Sequence, residues 1–260
     1  MTPAGTARGG TRTGGRLPAG DLAGPRGPAL RGAAADEVAA AGPLDPCRAA
    51  WRADPYTEAL RTGRGPLYLR RADGWLLPME VERWCAEADE ADRSLLGRCE
   101  GEVLDIGCGP GRLVVALADA GHPVLGVDVT PAAVRRTIDA GGRALCRSVF
   151  EPLPGEGRWR TALLVDGNVG IGGDPLTLLR RVAEVVDVRG RLLVEVSPVD
   201  VDERVRVRVA DSRGRLGQPF PWARVGERAL LRLAARSGWV RAERWRAGGR
   251  RFVALHRAGG

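Results

Sequence analysis

Between Val103 and Leu113 the chain reads Val-Leu-Asp-Ile-Gly-Cys-Gly-Pro-Gly-Arg-Leu: an apolar strand, a glycine turn and the opening of a helix. Glycines let the backbone bend sharply and let a ligand approach with no Cβ in the way. The helix start adds unpaired N–H groups and the positive end of a dipole, which suit an anion. Spacing narrows the ligand. A dinucleotide fingerprint, G-x-G-x-x-G, needs glycine at 112, and the chain has Arg112 there. Its glycines stand at 107, 109 and 111, with Asp105 inside the strand two residues before the first.

Beyond this loop, strands and helices alternate. Glu102–Ile106, Pro123–Val129, Ala144–Phe150, Thr161–Val165 and Arg191–Val196 read as strands, with helices at Arg112–Ala120, Pro131–Ala140 and Pro175–Val186. Thr130 and Pro131 supply the cap and first-turn residue of the second helix. Such alternation predicts a parallel sheet with helices on both faces. Unbroken apolar runs such as Ala162–Val165 fit strands covered on both sides. A last helix, Gly226–Ser237, precedes Val240–Arg246 and Arg251–His256, joined at Gly248-Gly249 as an antiparallel hairpin. The expected fold class is α/β: a Rossmann-like doubly wound sheet, mostly parallel with an antiparallel last strand, plus a small N-terminal helical cap.

The cap occupies residues 44–100, where Ala49–Arg61 and Pro78–Arg98 carry apolar residues at helical spacing around a Gly/Pro-broken stretch, Gly63–Arg70. It is placed to serve as a substrate lid. Residues 1–43 are expected to form a disordered tail, because their Gly, Pro and Arg cannot bury apolar surface. Residues 101–260 form the binding domain, with a β-hairpin insert at about 200–222. In that insert Arg204, Arg206 and Arg208 alternate with Val205, Val207 and Val209, the period of a strand. The arginine row reads as protection of an exposed strand edge, with an acidic substrate or phosphate as the other reading.

The formal charge is +8, from 40 basic and 32 acidic residues. Every basic residue is arginine, and Asn168 and Gln218 are the sole amides, a bias that follows GC-rich codons. Five arginines against Asp21 within residues 1–34 supply +4, leaving +4 for the other 226 residues. Basicity this evenly spread does not point to nucleic acid. Five cysteines with no C-x-x-C, and two histidines, His122 and His256, offer neither a disulfide frame nor a metal site. No apolar run approaches the ~18 residues of a membrane span, and no signal peptide opens the chain. A cytoplasmic, reduced protein is expected.

Asp128 ends the second strand, in Gly126-Val-Asp-Val129. A carboxylate there can accept both hydroxyls of a ribose, or cap the helix that Thr130 begins. On these residues the chain from about 100 to 260 resembles the class I S-adenosylmethionine-dependent methyltransferase family. Asp105, Gly107, Gly109 and Gly111 meet that family's acid-x-Gly-x-Gly-x-Gly pattern. The resemblance implies S-adenosyl-L-methionine as cofactor, with its methionyl part on Gly107, Cys108 and Gly109, its ribose on Asp128 and its adenine against Val129. Family members place an Asp-Ala pair after the third strand. Here the stretch is Ser148-Val-Phe-Glu-Pro-Leu153, which leaves Phe150 and Glu151 for the adenine edge. A seven-stranded sheet with an antiparallel seventh strand is also implied.

Methyl transfer needs alignment and exclusion of water more than it needs a base. In open α/β sheets the site lies beyond the carboxyl ends of the strands, and both histidines fall at the opposite edge, so no catalytic residue is assigned. The loop Asp166–Asp174 lies at the right edge and contributes Asp166 and Asn168 as site residues. It lacks the Asp/Asn-Pro-Pro-aromatic run of members acting on amide or ring nitrogens. Tyr56 and Tyr68, the only tyrosines, are candidates to orient a substrate from the cap. The function expected is methyl transfer to a small-molecule acceptor by in-line displacement. An RNA methyltransferase using the basic tail and arginine row, or a non-catalytic binder of the cofactor, are the alternatives.

Overall fold

A computed structural model describes residues 55–258. The expected tail at 1–43 and the start of the Ala49–Arg61 helix lie outside them. The described chain opens with α1 (Tyr56–Thr62), β1 (Leu67–Arg71), β2 (Leu76–Met79), α2 (Val81–Cys85) and α3 (Glu90–Leu96). The stretch read as a break between two helices is therefore a strand pair. The single helix expected over Pro78–Arg98 is divided by Ala86–Asp89. Asp89 restarts it through a capping box: its side chain accepts from Asp92 N, and its own N–H donates to the Asp92 carboxylate.

The alternating part comes next as β3 (Val103–Ile106), α4 (Arg112–Asp119), β4 (Val124–Asp128), α5 (Pro131–Asp139), β5 (Ala144–Cys146) and β6 (Trp159–Leu164). A 3-10 turn over Asn168–Gly173 leads to α6 (Pro175–Val185) and β7 (Val186–Val196). After these stand β8 (Asp202–Asp211), β9 (Phe220–Val225), α7 (Glu227–Ala235), β10 (Trp239–Ala247) and β11 (Arg250–Arg257). The main sheet has the order β10-β11-β7-β6-β3-β4-β5. Its five strands β3 to β7 are mutually parallel, β11 runs antiparallel to β7, and β10 returns antiparallel to β11. This is the Rossmann-like sheet with an antiparallel closing strand that the alternation predicts.

Because side chains alternate along each strand, neighbouring residues feed two cores. Leu104, Ile106, Ala162 and Leu164 pack with Leu178, Leu179 and Leu230. Val103, Leu163 and Leu193 pack with Leu95, Leu113 and Leu117 on the other side. Each such fully buried side chain contributes roughly 1.5–3 kcal/mol. Gly111 serves this packing: its φ is 92°, and a Cβ there would lie 2.6 Å from Thr137 of α5.

A second, four-stranded sheet has the order β2-β1-β8-β9, all antiparallel. It joins the N-terminal hairpin to the insert. β8 pairs with β9 over Asp202–Val207 and with β1 over Val207–Asp211, so Arg204 and Arg206 stand on the half that has a ladder partner on one side. Arg204, Arg206 and Arg208 line the solvent face, with Arg70 opposite Arg208. The other face, with Leu69 opposite Val209 and Val207 opposite Phe220, covers a third apolar cluster together with Tyr56 and Leu60.

Candidate active site

The carboxyl ends of β3, β4, β6 and β7 and the inner face of the second sheet enclose a cavity of about 850 Å³. That lies toward the upper end of the roughly 300–1,000 Å³ of small-molecule sites. The parallel strands form its floor and the antiparallel sheet its roof.

On the floor, the glycine loop is fixed from below. The N–H groups of Gly107 and Cys108 both donate to Val127 O, at 2.8 and 3.1 Å. From above, Asn168 Nδ2 donates to Ile106 O at 3.0 Å and Gly107 O at 2.9 Å. A Cβ on Gly107 would sit 2.7 Å from that amide, whereas one on Gly109 would meet nothing within 4 Å. The loop is thus closed at Gly107 and open to the cavity at Gly109. Asp128 reaches across from β4, accepting from Gly109 N at 3.0 Å and Thr130 N at 2.8 Å. Burial raises its pKa, and those backbone donors partly offset the rise.

Asp105 is 2% exposed and lines the cavity. Burial first, and the neighbouring Asp166 second, push its carboxyl up to about 7, against the opposing pull of Arg112. Among the described residues no donor hydrogen-bonds its side chain.

Beside it lies a network of three arginines and four carboxylates, the fourth being Asp89 at 3.9 Å from Arg250. Arg112 contacts Asp92 and Asp166, each at 2.9 Å. Arg250 reaches Asp92 at 2.7 Å, Glu195 at 2.7 Å and Asp166 at 3.3 Å, while Arg83 of α2 meets Asp166 at 2.9 Å. Glu195 also accepts from Asp166 N at 2.7 Å, which holds Asp166 at φ 57°, the one positive φ on a non-glycine among the described residues. Arg112, whose presence removes the dinucleotide motif, here ties the cap to the floor. Asp92, Glu195 and Arg250 escape a reading of the sequence because isolated charged residues look like solvated ones. Asp92 and Glu195 stand 158 and 55 residues away from Arg250.

Of the residues expected at the site, the cavity wall contains Asp105, Gly107, Cys108, Gly109, Asp128, Val129, Phe150, Asp166, Asn168 and Tyr56. Phe150 stands at the rim, 41% exposed. Tyr56 is buried, which raises its pKa, and the charge of nearby Asp128 raises it further. Cys108 is buried too, which holds its thiol in the neutral form. Gly111, Glu151 and Tyr68 are not in the wall. Gly111 lies under α5; Glu151 accepts from Ser148 N at 2.8 Å in its own turn; Tyr68 pairs with Pro78 and Ala210 within the roof. His256 pairs with Arg191 in the middle of β7 and His122 precedes β4, both away from the carboxyl ends of the parallel strands. Among the described residues no cluster of His, Cys, Asp or Glu could hold a metal, and no helix is long and apolar enough to cross a membrane.

Residues 103–151 match a family described as a methyltransferase domain. The chain is similar to a solved S-adenosylmethionine-dependent methyltransferase from Bacteroides fragilis in complex with S-adenosyl-L-homocysteine. The two are 21% identical over 82% of this chain and 95% of that one, with a TM-score of 0.65. It is also similar to a 1,6-didemethyltoxoflavin-N1-methyltransferase from Burkholderia thailandensis, bound to 1,6-didemethyltoxoflavin and S-adenosylhomocysteine (22% identity, 85% and 93% coverage, TM-score 0.56). A sugar N-methyltransferase from a Streptoalloteichus species matches over 69% and 90% at 17% identity, TM-score 0.50. The fold is that of a Rossmann-like methyltransferase. Its glycine-loop segment is the part of the chain that matches the methyltransferase domain.

Proposed function

We propose that the chain binds S-adenosyl-L-methionine on the floor of the cavity and transfers its methyl group to a small-molecule acceptor held under the roof. Asp105 carries this reading. It is a buried carboxyl on the cavity wall with no partner of its own among the described residues, beside a network whose arginines are already paired, and it calls for a ligand cation such as an amino-acid ammonium. The rest of the floor fits the same ligand. Asp128 faces the position of a ribose with lone pairs to spare. Gly109 leaves room for close approach, and Val129 and Phe150 offer apolar surface to a base.

When bound, the cofactor supplies a methyl group on a positively charged sulfur, which an acceptor lone pair takes as the carbon–sulfur electrons return to sulfur. The protein's part is to align and to exclude water. The roof and Tyr56 cover part of the cavity above the glycine loop. Among the described residues no histidine lines it, and the titratable side chains at its wall are mainly carboxyls such as Glu80 and Asp105. A small molecule is favoured over RNA because Arg70, Arg206 and Arg208 lie on the solvent face of the roof, away from the cavity.

Calorimetric titration with S-adenosylmethionine, with NADH as control, tests this. One-site binding of the first and none of the second is expected. Silence from S-adenosylmethionine in folded protein would refute it.

A further inference from the structure

We infer that the acceptor is a planar, largely apolar ring system bearing few polar substituents, and not a sugar or other polyol. This rests on the proposed division of the cavity into a cofactor floor and an acceptor roof, and it concerns the roof alone.

The roof's inner face is set by strand register. Leu69 stands opposite Leu77 across β1 and β2, and Trp222 opposite Val205 across β9 and β8. Leu69, Leu77, Phe220 and Trp222 all line the cavity. The rings of Phe220 and Trp222 stand edge to face, with centroids 6.1 Å apart and planes at 84°. Flat apolar walls of this kind recognise ring faces and offer hydroxyl groups nothing.

The charged groups around these walls are already engaged. Arg83 is held by Asp166 at 2.9 Å and Arg224 by Glu203 at 2.9 Å. Asp174 accepts from Leu176 N and the Thr177 hydroxyl, so both of those cavity-facing polar side chains are committed to the start of α6. Besides the hydroxyls of Ser148 and Ser197, two further polar groups stand at the wall. Among the described residues, Glu80 is exposed at the start of α2 and has no ion pair, and Trp84 Nε1 is a buried donor without a partner. Glu80 can orient a ring with one or two polar substituents. A polyol brought here would exchange several hydrogen bonds to water for apolar contact, which selects against it.

The test uses the full chain saturated with S-adenosylhomocysteine, and the same chain without it. Saturation-transfer NMR and competition titrations would compare two planar bicyclic probes, 2-naphthol and 6-hydroxyquinoline, with glucosamine. The bicyclic probes are expected to bind and glucosamine to give no transfer. Leu77→Asp, which sets a carboxylate on the inner face, should weaken the bicyclic probes about tenfold or more while leaving S-adenosylhomocysteine affinity within about twofold. Retained cofactor affinity also reports that the variant is folded; Leu77→Gln is a milder second variant with the same expected direction. Glucosamine binding more tightly than both bicyclic probes would overturn the inference. So would bicyclic binding that neither Leu77 variant disturbs. Failure of S-adenosylhomocysteine to bind counts against the cofactor reading, whereas the ring probes, run with and without it, test the roof separately.

Discussion

The floor of the cavity sets Asp105, Asp128, Asp166 and Glu195 at the ends of parallel strands, whereas the roof presents Leu69, Leu77, Phe220 and Trp222 from antiparallel ones. The floor's charges are nearly all paired inside the protein, and their positions are set by short loops after consecutive strands. The roof is assembled from two hairpins far apart in the chain, Leu67–Met79 and Asp202–Val225. A floor of this kind holds one ligand in one orientation. A roof built from separate insertions can change its shape without disturbing the strands beneath, so the acceptor is read from the roof and the cofactor from the floor.

The sharpest way to break this division is through the ionic tie between cap and floor. Arg112→Ala takes one arginine partner from each of Asp92 and Asp166, and it leaves four carboxylates facing two guanidinium groups. Asp92 is fully buried, so the surplus negative charge cannot be relieved by water there. Removing one member of a buried ionic pair costs about 3–5 kcal/mol, and thermal unfolding should shift down accordingly. An unchanged midpoint would show that the network adds nothing to stability.

Next in size is the pH dependence from Asp105. Its folded pKa of about 7 lies above the unfolded value of 3.8, so between those limits the folded state binds more protons. The part of stability that depends on Asp105 is complete below the unfolded pKa. It falls as pH rises toward the folded pKa, by at most about 1.4 kcal/mol per pH unit. Because many surface carboxylates act in the opposite sense, the difference between wild type and Asp105→Asn in denaturant titrations isolates it. That difference should move against the wild type as pH rises from 4 to 7 and then level off; a flat difference over that interval would contradict the assignment.

Asp128→Ala tests the floor alone. Loss of a charged hydrogen-bond acceptor costs about 1.5–3 kcal/mol, so S-adenosylhomocysteine should bind roughly ten- to a hundredfold more weakly by calorimetry. Smallest is Arg206→Ser on the solvent face of the roof, where stability and ligand binding should both stay within about 0.5 kcal/mol. A large loss of small-molecule binding there would mean that the roof's two faces are not independent.

The same contrast governs how legible each region is in the sequence. The glycine loop, Asp128 and the strand order announce themselves because strand, turn and helix are contiguous and their periods are local. Asn168 stands out for the same reason, alone among glycines in a loop after a strand. Pairing of β1 with β8 has no local signature: Leu67–Arg71 looks like a broken stretch until Val207–Asp211 completes its hydrogen bonds. The alternation in β8 is readable as a strand, but only its two partner strands show which face of it the arginines occupy. Glu151 and Gly111 satisfy a motif by position, yet their backbone surroundings employ them in a turn and in helix packing.

The most direct measurement is a structure of the complex with S-adenosylhomocysteine. The ribose hydroxyls should lie on Asp128, the amino group within hydrogen-bond reach of Asp105, and the sulfur should face the apolar side chains of β1 and β9. A ligand bound with its amino acid remote from Asp105, or its sulfur turned away from the roof, would contradict the assignment of cofactor to the floor and acceptor to the roof.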